Sequence, residues 1–143
     1  MKISYPAKIE YMHSDKSYLV EFRDLPGCLT EGKSLEDAIH NAREALTGYL
    51  ASIFERNLKI PEPSKVKGKN IHMIEPEPEV AVPVFLRKQR EARKLTQSEV
   101  AKELGISYQA YQRLEKPGKS NPTLKTLERL AKVFDKELHL DFA

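Results

Sequence analysis

The stretch from Thr96 to Glu115 constrains the fold more than any other part of this 143-residue chain. Thr96 followed by Glu99 is the pattern of a helix capping box, and apolar residues at helical spacing come after it. Gly105 stands where that helix must end, because glycine adopts the left-handed conformation at the least steric cost. Ser107 can then cap a second helix. We therefore predict two short helices joined by a tight turn, a helix-turn-helix.

The second of these helices carries side chains that are suited to reading DNA. Glutamine can pair with the donor and acceptor edge of adenine, and arginine with the edge of guanine. Gln97, at the start of the first helix, is placed to bind a phosphate with its amide and the helix N-terminus. An ordinary helical hairpin with a polar surface is the alternative. The predicted DNA-binding residues are Gln97, Ser107, Tyr108, Gln109, Gln112, Arg113 and Lys119.

A family resemblance covers about residues 84–134. The run QSEVAKELGISYQAYQRLE, followed by NPTLKTLERLAKVF, resembles the DNA-binding domain of phage-repressor-type transcription factors, the Cro/C1 or XRE class. Tyr111 stands where that family usually has Ile or Val, and the turn at residues 115–119 is one residue longer than usual. The resemblance implies that the residues named above contact operator DNA.

Residues 137–142 alternate between polar and apolar side chains, which predicts a short terminal strand. A lone strand cannot satisfy its own backbone hydrogen bonds. We therefore expect it to pair with the same strand of a second protomer, which predicts a homodimer and leaves a tetramer open.

The first half of the chain has the pattern of a small sheet covered by a helix. Alternating apolar residues at 3–11 and 18–22 predict an antiparallel hairpin, and a short third strand should end at Gly32. Ser34 can cap a long amphipathic helix that runs to Arg56, and residues 70–74 can form a returning strand. Pro6 lacks a ladder donor, which favours an edge or an outward-facing slot. The fold class is therefore α+β, with an antiparallel sheet and one long helix (order βββαβ) followed by an all-α unit.

The run Glu75-Pro76-Glu77-Pro78-Glu79 predicts a stiff, extended linker that is poor in contacts. We place the linker at residues 75–83, the first domain at 1–79 and the helix-turn-helix domain at 84–143. Residues 1–79 hold 11 basic and 13 acidic side chains, whereas residues 80–143 hold 13 and 8. The basic excess therefore lies in the half that is predicted to meet phosphate.

Composition limits where the chain acts. The 40% hydrophobic and 31% charged fractions are typical of a globular protein, and no apolar run is long enough to span a membrane. The first residues lack the apolar core of a signal peptide. The expected location is the cytoplasm.

No arrangement of residues points to catalysis. The four histidines have no metal-ligand spacing, and the single cysteine, Cys28, is interpreted as a small buried thiol. Carboxylates that could in principle serve a two-metal nuclease are scattered, and acids on a sheet face usually meet solvent or a partner. We expect no enzyme activity, no cofactor and no metal; the acids weighed are Glu10, Glu21, Asp24, Glu31 and Asp37.

A second resemblance covers about residues 3–74. The runs YPAKIE and YLVEFRDLPGCLTEGKSLEDAIHNAREAL resemble the HicB antitoxin family, and DLPGCLTEG is their most specific part. The resemblance implies a partial ribonuclease-H-like fold and an appended DNA-binding domain. It also implies a HicA toxin as partner, a small basic ribonuclease with a double-stranded-RNA-binding-like fold and a catalytic histidine.

Both halves thus indicate the antitoxin of a type II toxin–antitoxin pair that represses its own operon. The alternative is a stand-alone phage-repressor-type regulator whose N-terminal domain senses a ligand or only oligomerises. A small basic protein encoded beside this chain would favour the first reading.

Overall fold

The computed structural model describes residues 3–142, and its elements follow the predicted βββαβ order before four further helices. The chain divides into two compact units between Ala81 and Val82. No helix within the described residues is long and apolar enough to cross a membrane. The elements are β1 (Tyr5–Met12), β2 (Ser17–Phe22), β3 (Leu29–Gly32), α1 (Leu35–Glu55), β4 (Ile71–Ile74), α2 (Pro78–Ala92), α3 (Gln97–Leu104), α4 (Tyr108–Leu114) and α5 (Leu124–Val133).

The first unit is an antiparallel sheet of order β3-β2-β1-β4 with α1 packed on one face. Because side chains alternate along a strand, Ala7, Ile9, Val20 and Phe22 share the inner face, and each is at most 3% exposed. Gly32 of β3 lies against the backbone at Ala38, so a β-carbon there would clash with α1. The α+β class predicted from the sequence is confirmed.

Helix α1 begins and ends as the local signals predict. The Ser34 side chain accepts from the Asp37 amide, and Asn57, just past the C-cap, has φ of 52°. The buried stripe is Ala38, Ala42, Leu46, Leu50 and Ile53. Leu35 and Ile39, which have the same helical spacing, remain 40% and 36% exposed.

The edge position expected for Pro6 was wrong, because β1 is a central strand; Pro6 lies on the side of the sheet opposite α1, and it is buried there. Ile9 donates its N–H to Asn70, so odd residues of β1 turn their N–H groups towards β4. Pro6 turns the other way, beyond Ala7–Phe22, the last pair of the β1–β2 ladder. The missing donor therefore costs no ladder bond.

The extended linker predicted at 75–83 was also wrong, since α2 begins at Pro78. Proline suits the first helical position, where its missing N–H has no intrahelical partner, and Glu79 suits the first turn. The preceding Glu77 is held on α1: its N–H donates to Thr47 Oγ1 at 3.0 Å, and its carboxylate lies 3.3 Å from Arg43 Nε.

The second unit is built from helices around one apolar cluster. Its fully buried members come from α2 to α5 and from the residue that ends α5: Leu86, Val100, Ala101, Leu104, Tyr111, Leu130 and Phe134. The described residues 137–142 form no strand within this chain. The prediction that they pair with a second protomer therefore stays a prediction.

Candidate nucleic-acid interface

The ends of α3 and the start of α4 lie at the residues that the sequence predicts. Thr96 Oγ1 accepts from the Glu99 amide, and the Glu99 carboxylate accepts from the Thr96 amide, which completes the capping box. These hydrogen bonds hold the pKa of Glu99 below its usual value. Gly105 has φ of 70°, and Ser107 caps α4 by accepting from Ala110. The predicted helix-turn-helix is confirmed.

Helix α4 presents most of the predicted contact residues on one exposed surface. Its inward side chain is Tyr111, which is fully buried, so residues on the opposite side must face solvent. Gln109, Gln112 and Arg113 are exposed at positions i, i+3 and i+4, and Tyr108 is 43% exposed. Two amides, a guanidinium and a phenol thus lie together where base edges could be read.

The other predicted contact residues flank this surface. Ser107 is exposed but its hydroxyl already serves as the α4 cap. Lys119 is exposed in the turn that follows α4, next to Gly118 with φ of 76°. A lysine on a flexible stem at this position could reach a phosphate rather than a base.

Gln97 is part of a buried polar cluster rather than a free surface residue. Its side-chain nitrogen donates to Glu115 Oε1 at 3.2 Å. An amide nitrogen carries two hydrogens, so one remains for a phosphate. The hydrogen bond to Glu115 thus orients the amide of Gln97.

The centre of this cluster is a buried ion pair that the sequence analysis missed. Arg90 donates through Nε and Nη2 to the two Glu115 oxygens at 2.7 and 3.0 Å, and through Nη1 to the Leu95 carbonyl at 2.9 Å. The Glu115 side chain is 3% exposed. The Glu115 hydrogen bond raises the pKa of Arg90, so the guanidinium stays charged. Burial, and then the Glu115 charge, raise the pKa of Tyr111.

No local signal distinguishes Arg90 and Glu115 from surface charges. Arg90 lies in a basic helix, RKQREAR, and Glu115 lies in a polar turn. Their pairing joins positions 25 residues apart, which only the packed helices bring together.

The acids weighed for nuclease chemistry do not converge on a metal site. Within residues 3–142, no three His, Cys, Asp or Glu side chains are placed to hold an ion. Lys8 lies opposite Glu21 in the β1–β2 ladder, and its Nζ is 3.4 Å from Glu10 Oε1, so Glu10 pairs with an ammonium. Asp24 instead accepts from Ser64, and Asp37 accepts from the Lys33 amide.

Cys28 is buried at 4% exposure, as predicted. Burial raises its pKa to about 11, which leaves the thiol protonated at neutral pH. A protonated and covered thiol is a poor nucleophile, so the packing role is the better interpretation.

Two family models match the two halves of the chain. Residues 4–83 match the model described as HicB-like antitoxin of a bacterial toxin–antitoxin system. Residues 86–140 match a model described as helix-turn-helix.

Curated relatives match most of the chain. "Antitoxin HicB" of Escherichia coli K12 is 32% identical over 123 residues, which is 86% of this chain and 88% of that protein. "Antitoxin HicB 1" of Photorhabdus laumondii is 34% identical over 110 residues, covering 77% and 68%. The crystal structure of the N-terminal domain of Burkholderia pseudomallei antitoxin HicB is 23% identical and covers 51% of this chain and 96% of that domain, with a TM-score of 0.46.

Proposed function

Because the chain belongs to the HicB-like antitoxin family, a family of regulatory proteins rather than enzymes, we propose that it neutralises a HicA-like ribonuclease toxin and represses its own operon. The observation that carries the proposal is the union of an antitoxin-type unit with a helix-turn-helix in one chain. The site of action would be the cytoplasm. The test is growth of cells that express a HicA-like toxin, taken from the neighbouring reading frame where one is encoded there, with and without the chain itself.

The division of charge supports two partners of opposite chemistry. The acidic first half suits a basic toxin, and the basic second half suits the phosphates of double-stranded operator DNA. A stand-alone regulator would explain the second half but not the antitoxin-type first half.

Gln109 and Arg113 are the side chains that we expect to read bases in the operator. Replacing both with alanine should lower discrimination between operator and random DNA, because each good bidentate contact is worth about 1–3 kcal/mol. Both side chains are exposed, so the fold should survive the change. Fluorescence anisotropy on operator and scrambled duplexes at several salt concentrations measures the effect.

Lys132→Ala is the matched control for this prediction. Lys132 is exposed at the end of α5 and its loss removes the same charge as loss of Arg113. It should weaken both duplexes alike through the general phosphate term and leave discrimination unchanged. If the double variant keeps full discrimination, the assignment of these two residues is wrong.

A protein that binds an operator with an inverted repeat is expected to be a two-fold symmetric dimer. The C-terminal residues provide an apolar surface through which two chains could pair. Leu140 and Phe142 are 67% and 101% exposed at alternate positions, an apolar stripe that nothing in the described chain covers. Changing both to serine should shift the protein from dimer to monomer in sedimentation and weaken operator binding at the same time.

The matched control uses the other side of the same segment. His139 and Asp141 alternate with the apolar pair and are exposed. Serine at both positions should leave the dimer intact, because strand pairing uses backbone groups and the buried side is unchanged. A wild-type chain that sediments as a monomer at micromolar concentration would contradict the dimer.

A further inference from the structure

The side of the sheet opposite α1 carries an ordered pattern of acidic and apolar side chains. Strand alternation places them there, because their neighbours in sequence fill the inner face. Five of the six are exposed, and the Glu10 side chain is 43% exposed. We call this surface the outer face and define it as Lys8, Glu10, Leu19, Glu21, Leu29 and Glu31.

The strand register sets charge beside apolar surface in two rows. In one row Leu19 lies between Glu10 on β1 and Glu31 on β3. In the next row Glu21 lies between Lys8 and Leu29. Directly opposite residues in antiparallel strands have their β-carbons about 5 Å apart, so each leucine has carboxylates as neighbours.

The exposed leucines indicate that the outer face is a binding surface. Leu19 is 40% exposed and Leu29 is 57% exposed, and Met73 on β4 is 56% exposed on the same side. Leu19 and Leu29 lie in neighbouring rows of adjacent strands, and exposed apolar side chains that lie close together are typical of binding sites. The flanking carboxylates would then form a polar rim that selects the partner.

The charge of the outer face indicates which class of partner can bind to it. Three carboxylates against one ammonium would repel the phosphates of a nucleic acid. A second copy related by a two-fold axis would bring this acidic face against itself, which places like charges together. A different protein with a cationic surface avoids both penalties.

We propose that the outer face is the docking surface for the toxin, and that its carboxylates pair with cationic side chains of the toxin. This inference rests on the proposed function, since it needs a basic toxin as partner. Leu19 and Leu29 supply the buried apolar contact, and Glu10, Glu21 and Glu31 supply electrostatic attraction and orientation.

The experiment measures binding of the full-length chain to the purified HicA-like toxin used in the growth test. One variant reverses charge, Glu21→Lys with Glu31→Lys, and a second removes apolar contact, Leu19→Ser with Leu29→Ser. We expect each to weaken toxin binding by roughly 30-fold or more, and the first to slow association most at low salt. Operator binding, measured in parallel, should not change.

The control variant makes the same change of charge elsewhere on the first unit. Glu44→Lys with Glu55→Lys alters two exposed positions on α1, away from the outer face. It should leave toxin affinity within about twofold of the wild type, because exposed charges outside an interface contribute little. Equal losses in the control and the outer-face variants would overturn the docking surface.

Two results separate the docking surface from the proposed function. If the wild-type chain does not bind the toxin at all, the proposed function fails. If the wild type binds and both outer-face variants bind equally well, only the docking surface is overturned. If the outer-face variants still bind the toxin but sediment as a smaller species than the wild type, the outer face instead joins two copies of this chain.

Discussion

Replacement of Glu115 by alanine should cost the helical unit on the order of 3–5 kcal/mol of folding free energy. The Glu115 side chain is 3% exposed and the Arg90 side chain 14%, and two hydrogen bonds join them. The substitution leaves a buried guanidinium without its anion, which costs more than the hydrogen bonds themselves are worth. A unit of this size has a stability of roughly 3–9 kcal/mol. A large fraction of the Glu115→Ala molecules should therefore have an unfolded helical unit.

Hydrogen exchange on the full chain can locate this loss. Backbone amides of α3, α4 and α5 should lose protection, while those of β1, β2 and α1 should keep it. Glu91→Ala is the matched control, because Arg87 Nε lies 2.6 Å from Glu91 Oε1 but the Glu91 side chain is 54% exposed. An exposed pair one helical turn apart contributes only about 0.3–0.5 kcal/mol. Similar small losses in both variants would contradict the importance of burial.

Removing both partners tests whether the cost comes from the unpaired charge. Arg90→Met together with Glu115→Leu replaces the buried pair with apolar groups, and we expect it to recover much of the stability lost in Glu115→Ala. Operator affinity should remain below that of the wild type, because Gln97 loses the carboxylate that orients it.

The parts of the fold that could be predicted from the sequence depend on residues within one or two helical turns. Thr96 and Glu99 cap α3 through bonds three residues apart, and Gly105 ends it by its own backbone conformation. Ser34 and Ser107 act in the same way. Because each of these signals involves residues that are close in sequence, the sequence alone is enough to predict them.

The parts that could not be predicted depend on distant partners. In the sequence Glu115 resembles a surface residue, and only the packing of α2 places Arg90 beside it. Pro6 is acceptable in a central strand only because the β1–β2 ladder ends at Ala7. The sequence predicts a linker at Pro78 because alternating prolines and glutamates are typical of extended chain. The same proline also suits the first turn of a helix, and Val80, 2% exposed two residues later, favours that choice.

This helix changes where the two functions can be separated. A chain ended after Glu79 loses Val80, whose burial is worth about 1.5–3 kcal/mol, whereas a chain ended after Ala81 keeps it. Ala81 is also the last residue of the first compact unit. We therefore expect the chain ended after Ala81 to have the higher thermal midpoint of the two.

The chain ended after Ala81 should still neutralise the toxin and should lose operator binding entirely. It retains the whole sheet, α1 and the bond between Glu77 and Thr47 that holds the start of α2. It lacks all seven predicted DNA-contact residues, from Gln97 to Lys119. Growth of toxin-expressing cells and operator anisotropy measure the two activities, with residues 82–143 as the reciprocal fragment. If the first fragment is folded by circular dichroism yet fails to restore growth, while the second restores it, the assignment of toxin neutralisation to the first unit is wrong.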